Sequence, residues 1–374
     1  MKITLVLPIL LSLAVTALLA RDLQKKPASP APAQPPAAVP VEPEPVRYSM
    51  ADCHLHLVDF LQRTDGAAAA LRAMTKSGVT DAVVSGMPLV KQWSESEPQQ
   101  PQYYLEDDAR CYWYSATDML VAREIQALPE ADRQHFHPII CGFNGADRNA
   151  VDHVRRMIEW NPGFWQGIGE VMTRHDDLSA LTYGETPQAN NDTLHRIYDL
   201  AAELDLPVFV HSNASSVWKR EPIYLHEFEE AVSKHPKTKF VWCHAGISRR
   251  VDVPTLMQEI DRVLATYSNL SIDISWVLFD TYLVKDGKPV AEWLALFEKY
   301  PARFIIGSDK VGRFHDYAPV MQRYYLLLDA MKPETAKRIA HDNILAILPK
   351  QGAVLPPAIT PEIRQVVPLP VPTR

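Results

Sequence analysis

Residues 207–244 read PVFVHSNASSVWKREPIYLHEFEEAVSKHPKTKFVWCH. Two short apolar runs in this stretch, 207–212 and 239–244, are rich in Val and Phe, as is typical of buried strands. Between them, residues 225–235 place apolar side chains at the spacing of an amphipathic helix. A strand, a helix and a second strand in this order predict a βα unit of a parallel sheet.

The same alternation extends in both directions along the chain. Strands are predicted at residues 48–54, 81–87, 137–143, 167–172, 207–212, 239–244, 270–275 and 303–308. Helices between them include residues 67–76, 152–160, 193–204, 225–235, 254–267 and 290–300. Eight βα units in a stretch of this length predict an α/β fold, a closed (β/α)8 TIM barrel. The alternative is a doubly wound open sheet, but no glycine-rich phosphate turn follows the first strand.

One connection, residues 88–118 after the second strand, is long and rich in aromatic residues, among them Trp93. In a barrel this loop lies over the catalytic end, where long loops commonly form lids or binding walls. Such aromatic residues can equally pack the loop onto the barrel. Trp93 is therefore a candidate substrate contact.

Composition limits the kinds of partner. The chain has 374 residues, 47% of them hydrophobic, and a formal net charge of -7. Without a basic field to gather phosphates, nucleic acid is not an expected partner, and a small molecule fits better. The four cysteines are too few for a disulfide framework, and Cys53 and Cys243 are expected to be buried on the strand face opposite the neighbouring histidines.

The two ends of the chain differ from its middle. Residues 1–20 form an apolar run that predicts an export signal, or a membrane anchor if it stays uncleaved. Proline-rich residues 21–46 predict an extended linker, residues 47–350 the barrel domain, and residues 351–374 a proline-rich tail. The expected location is periplasmic, or membrane-anchored facing the periplasm, and the sequence leaves open whether the chain is a monomer or a homodimer.

Ligand-type residues stand at the ends of the predicted strands. His54 and His56 lie two residues apart at the end of the first strand, so both side chains point to one face. The carboxyl ends of barrel strands meet at one rim. Later strand ends supply four more such residues to that rim: Glu170, His211, His244 and Asp309. Each alone could be a polar strand terminus, but together they predict a site for a divalent metal.

These residues, in this order, resemble the amidohydrolase superfamily, and the general style of the sequence resembles its amidohydrolase-2 group. His54 and His56 match the family's His-x-His pair, and His211, His244 and Asp309 match its fifth-, sixth- and eighth-strand residues. Residues 339–345, with Asn343, are similar to its closing helix. Because Glu170 stands where one large subgroup has a carboxylated lysine, that bridge is not available. A glutamate in this region resembles the TatD-type metal-dependent deoxyribonucleases.

The resemblance implies one or two divalent ions, with zinc expected and manganese, iron or magnesium as alternatives. Such an ion lowers the pKa of bound water toward neutrality and so supplies a nucleophile. Asp309 would orient this water and carry its proton to the leaving group. His244 could polarise the scissile carbonyl if one metal binds, and Glu170 could bridge or bind a second ion if two do.

The predicted reaction is hydrolysis of an amide, lactone or ester. Non-oxidative decarboxylation and phosphodiester cleavage are the enzymatic alternatives, and a non-catalytic binding module is a further one that Asp309 disfavours. Basic or imidazole side chains near the rim are candidate contacts for an anionic substrate: Arg174, His175, Lys310 and Arg313. Asp273 and Ser275, on one face of the seventh strand, are candidates for supporting the metal ligands from behind.

Overall fold

The computed structural model describes residues 43–92 and 110–349. Its strands, in chain order, are β1 Met50–His56, β2 Val79–Ser85, β3 Leu89–Lys91, β4 Cys111–Trp113, β5 Phe136–Ile140, β6 Gly167–Met172, β7 Pro207–His211, β8 Lys239–Trp242, β9 Leu270–Asp273, β10 Val284–Lys285, β11 Lys288–Pro289, β12 Phe304–Ile305 and β13 Lys310–Val311. Nine of them form one sheet in the order β12-β9-β8-β7-β6-β5-β2-β1-β13. All neighbours in this sheet are parallel, as the βα alternation predicts.

The two outermost strands of the sheet, β12 and β13, are consecutive segments of one stretch of chain. β12 pairs with β9 at one end of the sheet, and β13 pairs with β1 at the other. Between them, Ile306 O accepts a 2.9 Å hydrogen bond from Cys53 N–H of β1. The eighth barrel strand is thus interrupted in the middle, and its two halves close the sheet into the predicted TIM barrel.

Twelve helices flank the strands in the described residues. They are α1 Ala67–Ser77, α2 Thr117–Gln126, α3 Glu130–Arg133, α4 Ala150–Trp160, α5 Asp192–Glu203, α6 Leu225–Lys234, α7 Leu256–Thr266, α8 Ala291–Lys299, α9 Tyr317–Gln322, α10 Tyr325–Leu328, α11 Pro333–Lys337 and α12 Asn343–Ile347. Each of the eight predicted strands and six predicted helices overlaps an observed one. The start of α5 illustrates the local cause: the Asn191 side chain accepts a 2.8 Å hydrogen bond from Thr193 N–H, a cap that typically stabilises a helix by about 1 kcal/mol.

Apolar side chains fill both sides of the sheet. The large outer core packs the helices against the strands and includes Ile197, Tyr198 and Phe240. A smaller cluster takes residues from several strands, among them Val83, Phe209 and Ile305, and so fills the barrel interior. These interior side chains support the carboxyl ends of the strands from below.

The C-terminal segment that was matched to the family's closing helix packs against this interior cluster. Ile344 and Leu348 belong to the cluster. The Asn343 side chain donates 2.8 Å hydrogen bonds to the carbonyl oxygens of Pro301 and Phe304. Asn343 therefore anchors the last helix to the start of the interrupted eighth strand.

The two cysteines beside the site are both buried and unpaired, as expected, but they do not lie opposite the histidines. Both belong to the interior cluster, and ligand atoms of Cys243, His54 and Asp273 lie within 4.8 Å of one another. Strand alternation fails here for two reasons. The register of β1 shifts between Asp52 and Leu55, and β8 ends at Trp242 before the 3-10 turn Cys243–Gly246.

The long connection after β2 contains an antiparallel pair, β3 and β4. Trp93 lies outside the described residues, as do residues 1–42 and 350–374, which hold the predicted export signal and tail. No helix in the part of the chain described is long and apolar enough to cross a membrane. Glu44 exchanges two main-chain hydrogen bonds, of 2.8 and 2.7 Å, with the Gln322 side chain, so contacts with the barrel begin before residue 47.

Candidate metal centre

The predicted ligands on three strands converge at the carboxyl end of the barrel. His54 Nε2 and His56 Nε2 lie 3.2 Å apart. Glu170 Oε2 lies 3.5 Å from the first of these nitrogens and 3.3 Å from the second. Asp309 Oδ1 lies 3.7 and 3.4 Å from the same two atoms. Two imidazole nitrogens and two carboxylate oxygens thus surround one point.

The hydrogen bonds behind the two histidines locate their protons. His56 Nδ1 lies 2.7 Å from the carbonyl oxygen of Gly86, which can only accept, so this nitrogen carries a proton. His54 Nδ1 lies 2.8 Å from Asp273 Oδ2 and donates to it. Burial raises the pKa of Asp273, but hydrogen bonding and charge from His54 lower it more, so the carboxylate is ionised. In the neutral rings, each Nε2 atom therefore carries a lone pair and no proton.

Four electron-pair donors that face one another in a buried site repel unless a cation lies among them. Imidazole nitrogens with carboxylate oxygens are the donor set that divalent transition metals bind. Metal-binding histidines also commonly donate their second N–H to a carboxylate or carbonyl oxygen, as both do here. The residues present therefore fit a divalent ion.

The pKa values of the cluster indicate that protons take the place of the cation in the metal-free protein. Burial alone would lower the pKa of His56, but hydrogen bonds to Asp309 and Glu170 have the larger effect and raise it to about 9. Burial raises the pKa of Asp309, but the charges of His244 and the two first-strand histidines lower it to about 2. Protons on imidazole thus compete with a metal for this site.

His244 and His211 approach the cluster from its Glu170 side. His244 Nε2 lies 3.5 Å from Glu170 Oε1 and 3.9 Å from Asp309 Oδ2. His54, Glu170 and His244 have ligand atoms within 4.8 Å of one another, so these three also form a possible ligand group. His211 belongs to none of the ligand groups found among the described residues: its Nδ1 lies 2.8 Å from Glu170 Oε1 and its Nε2 3.1 Å from Asn213 Oδ1.

The backbone places these side chains through unusual local conformations. Asp309 has φ 49° and His244 φ 53°, both in the left-handed region that non-glycine residues seldom adopt. Asp309 N–H donates a 2.8 Å hydrogen bond to His54 O, which ties the eighth strand to the first. Gly307 lets the chain pass His54 closely, because a Cβ there would lie 2.9 Å from His54 Cβ. Strain held at such positions is typical of functional sites.

Sequence comparison now agrees with this geometry. A family model described as Amidohydrolase matches residues 51–350. The chain belongs to the amidohydrolase family. Members of this family are metal-dependent enzymes, which is consistent with the donor set at the barrel rim.

Several solved structures are similar to this amidohydrolase, at low sequence identity. One is a probable 2-pyrone-4,6-dicarboxylic acid hydrolase from Acinetobacter baumannii, 12% identical with a TM-score of 0.51, covering 80% of this chain and 98% of that one. Others are an amidohydrolase from Burkholderia multivorans with bound zinc (13%, 0.49, 80% and 99%) and a 2,6-dihydroxybenzoate decarboxylase from Rhizobium (11%, 0.46, 80% and 98%). No curated protein matches the chain. At these identities the likeness concerns the fold.

A cavity of about 780 Å³ opens above the candidate metal centre of this amidohydrolase. One wall is apolar and includes Phe60, Met87 and Leu178. Apart from the candidate metal ligands and the histidines, the side chains that line the cavity include five basic and two acidic ones. The basic ones are Arg63, Arg249, Lys310, Arg313 and Arg323, and the acidic ones are Asp59 and Asp280. Four of the basic side chains have an acidic partner: Arg63 lies 3.1 Å from Asp59, Lys310 2.6 Å from Asp316, Arg313 2.7 Å from Asp65 and Arg323 3.3 Å from Asp280. Most of the positive charge in the cavity wall is therefore offset by ion pairs.

Only some of the predicted substrate contacts line this cavity. Lys310, Arg313 and His175 line the cavity. Arg174 does not: it forms a two-point ion pair with Glu227, at 2.8 and 2.7 Å, and its guanidinium lies 4.0 Å from the centre of the Tyr224 ring. It therefore lines a separate, smaller cavity beside the main one. Trp93 is not among the described residues.

His175 is neutral and packed against the site. Its ring stacks on His211 at 4.3 Å, and its Nδ1 accepts a 3.1 Å hydrogen bond from Asp177 N–H. Burial, and secondarily the charge of His211, lower its pKa to about 3. An uncharged imidazole here is a polar contact for a substrate and not a cation for an anionic group.

Trp276, Arg249 and Arg323 are among the cavity residues that the sequence patterns did not mark. Trp276 has φ 58°, packs 5.0 Å from the His244 ring, and lies 5.5 Å from the Arg249 guanidinium. Arg323 donates a 3.0 Å hydrogen bond to Trp276 O. Trp276 and Arg249 follow strand ends and could have been found by the rule that found the ligands. Arg323 comes just after α9, where no sequence signal marks it.

Proposed function

We propose that this protein hydrolyses an amide, lactone or ester bond of a small molecule, using a water activated by a divalent metal ion. One observation supports this most strongly. The Nε2 lone pairs of His54 and His56 face carboxylate oxygens of Glu170 and Asp309 at 3.3–3.7 Å, in a site open to a large cavity. Such an arrangement holds a metal and leaves room for a substrate above it.

A divalent ion bound here would lower the pKa of a water molecule and polarise the bond to be cleaved. The protein's own residues then handle the proton. Asp309 is the exposed member of the cluster, with 12% of its side chain accessible, whereas His54, His56 and Glu170 are at 4% or less. It can take the proton of the attacking water and return it to the leaving group. Asp52 supports this carboxylate by accepting hydrogen bonds from Ser308 N–H and O–H, at 2.8 and 2.6 Å.

We propose zinc as the metal, because imidazole and carboxylate ligands suit it well, with manganese, iron and magnesium as the ions to compare. The ligand groups are compatible with one ion or with two. One group joins His54, His56 and Asp309, and the other joins His54, Glu170 and His244.

We further propose that the substrate carries an anionic group. The arginine side chains of the cavity support this, because a guanidinium has five N–H donors, so an arginine that already pairs with an aspartate can still hydrogen-bond a carboxylate of the substrate. Arg249 and Arg323 both contact Trp276 in one wall of the cavity, and apolar side chains form another wall. A substrate with a flat or apolar body and a carboxylate would contact both walls.

The same arginine-lined cavity also suits a carboxylic acid that loses carbon dioxide. Non-oxidative decarboxylation is therefore the second candidate reaction, and product analysis distinguishes it from hydrolysis because only decarboxylation releases carbon dioxide.

The test begins with elemental analysis of protein purified without added metal, for which we expect one or two equivalents. The protein is then assayed on a panel of esters, lactones and amides, each with and without a carboxylate. Activity should disappear with chelator and return with zinc, and the carboxylated members should have the lower KM. A protein that binds zinc but turns over no member of the panel, and releases carbon dioxide from aromatic acids instead, would replace hydrolysis with decarboxylation.

A further inference from the structure

Asp273, at the end of β9, is a buried carboxylate that receives hydrogen bonds from several donors at once. Its side chain is 0% exposed. Asp273 Oδ2 lies 2.8 Å from His54 Nδ1 and 2.8 Å from Ser275 Oγ. Asp273 Oδ1 accepts a 2.8 Å hydrogen bond from Ser275 N–H. Each of these contacts requires the partner to donate, because an ionised carboxylate has no hydrogen to give.

The Ser275 hydroxyl extends this constraint to a second histidine. It has one hydrogen, and the contact with Asp273 uses it. Ser275 Oγ also lies 2.8 Å from His244 Nδ1. Since the hydroxyl hydrogen already points to Asp273, the oxygen must accept from His244, and His244 Nδ1 must carry a proton.

We propose that Asp273 is a positioning residue that fixes the tautomers of two histidines, His54 directly and His244 through Ser275. Both rings then present a lone pair at Nε2. For His54 this lone pair faces His56, Glu170 and Asp309. For His244 it faces Glu170 Oε1 and Asp309 Oδ2.

This assignment decides the role of His244. A neutral His244 with its proton on Nδ1 has none on Nε2, so it cannot donate a hydrogen bond to the carbonyl oxygen of a substrate. It acts instead as a metal ligand or as a proton acceptor. The sequence left both this role and polarisation of the carbonyl open.

Replacement of Asp273 by Asn should reverse the arrangement. The amide oxygen would keep the short hydrogen bond from Ser275 N–H, which leaves the amide NH2 facing His54 Nδ1 and Ser275 Oγ. The NH2 group donates to both. His54 then moves its proton to Nε2, and the Ser275 hydroxyl turns to donate to His244 Nδ1, which moves that proton to Nε2 as well. A protonated Nε2 cannot bind a metal.

Replacement of Ser275 separates the two effects. Ser275→Ala removes the acceptor for His244, together with the hydroxyl donor to Asp273, and leaves the contact between Asp273 and His54. Ser275→Thr keeps the hydroxyl and should behave as the wild type. The matched control is Ser271→Ala, which removes the hydroxyl of another buried serine, on β9.

The experiment records nitrogen-15 spectra of histidine side chains in the full-length protein, which distinguish an N–H from a lone-pair nitrogen. Spectra are taken on the zinc-loaded protein, and on metal-free protein at increasing pH until the rings are neutral, because burial alone would lower the pKa of His54, but the charge of Glu170 and the hydrogen bond to Asp273 outweigh burial and raise it. Signals are assigned by their loss in His54→Gln and His244→Gln. Zinc content is measured on every variant.

In the wild type and in the Ser271→Ala and Ser275→Thr variants, we expect protons on Nδ1 of both rings. Ser275→Ala should change only the His244 signals, with zinc content unchanged. Asp273→Asn should move both protons to Nε2 and lose zinc. A wild-type His244 protonated on Nε2, or a metal-free Ser275→Ala variant whose His244 keeps its Nδ1 proton, would overturn the inference.

Activity adds a second readout, and only this readout rests on the proposed function. With 4-nitrophenyl acetate as the probe, Ser275→Ala should lower kcat by about tenfold or more, in the range usual for partners of metal-site histidines, with KM little changed. If the wild type turns over neither the probe nor any member of the ester, lactone and amide panel, the proposed function fails while the spectra still decide the tautomers.

Discussion

Replacement of Asp309 by Asn tests whether Asp309 matters more for proton transfer than for holding the metal ion. Asn keeps the size of the side chain and one acceptor oxygen, and it tolerates the left-handed backbone that Asp309 adopts at φ 49°. The His54, His56 and Glu170 ligand atoms, within 3.5 Å of one another, remain to hold the ion. The variant should therefore fold and retain most of its metal.

Its turnover should fall sharply because Asn cannot take up a proton. A positioned general base contributes about a hundred- to ten-thousand-fold in rate. At 1.36 kcal/mol for each factor of ten, this corresponds to about 2.7–5.4 kcal/mol of lost transition-state stabilisation. The loss should appear in kcat, with KM nearly unchanged, since Asp309 is proposed to act on the water and not on the substrate.

Steady-state kinetics on a substrate found in the ester, lactone and amide panel, with metal content measured on the same sample, checks this. Asp286→Asn is the matched control, because Asp286 also has a left-handed backbone, at φ 51°, but lies exposed between β10 and β11. That variant should keep full activity. An Asp309→Asn enzyme with a full complement of metal and near-normal kcat would refute the mechanism.

Three further predictions follow from the described contacts. The double variant His54→Ala and His56→Ala should lose its metal but keep the circular dichroism of a folded barrel, since the core lies below the rim; global unfolding would contradict this. The metal-free pKa of His56 is about 9, and although burial alone would lower the pKa of His54, the charge of Glu170 with the hydrogen bond to Asp273 outweighs burial and raises it as well. Metal must therefore displace protons below about pH 9, so the apparent affinity should rise by at least about tenfold per pH unit up to that pH in calorimetric titrations, and a flat profile would count against it. Deletion of residues 1–42 should leave the stability of the barrel unchanged. Deletion of residues 1–46 also removes the two Glu44–Gln322 hydrogen bonds and should lower the free energy of unfolding by about 1–3 kcal/mol, measured by urea denaturation. Equal stabilities of the two variants would show that this contact contributes nothing.

Much of the fold could be predicted because buried parallel strands have a distinctive composition. Predicted strand 167–172 coincides with β6, and predicted helix 225–235 differs from α6 by one residue. The interruption of the eighth strand was missed, since residues 303–308 read as one continuous apolar run. At the break, Ser308 N–H donates to the Asp52 side chain and Asp309 adopts φ 49°, a tertiary contact and a backbone conformation that a local pattern does not contain.

The candidate ligands could be predicted because each stands at a strand end, and a barrel brings strand ends together. The sequence could not distinguish residues that face the central point from residues that lie beside it. His211 was placed among the ligands, and the structure sets it against Glu170 and Asn213 instead. Arg174 was assigned to the substrate by its position after Glu170, but Glu227 on α6, 53 residues later, turns it away.

The interrupted eighth strand has a consequence for the stability of the whole domain. β12 and β13 each contribute only two residues of pairing, so the seam that closes the barrel is held by few main-chain hydrogen bonds. Asp309 lies in that seam, and His54 and His56 lie on the strand across from it. An ion shared by these residues would cross-link the first strand to the last. Loss of the ion would therefore loosen this seam without unfolding the barrel, and amide hydrogen exchange would increase first at Lys310 and Val311.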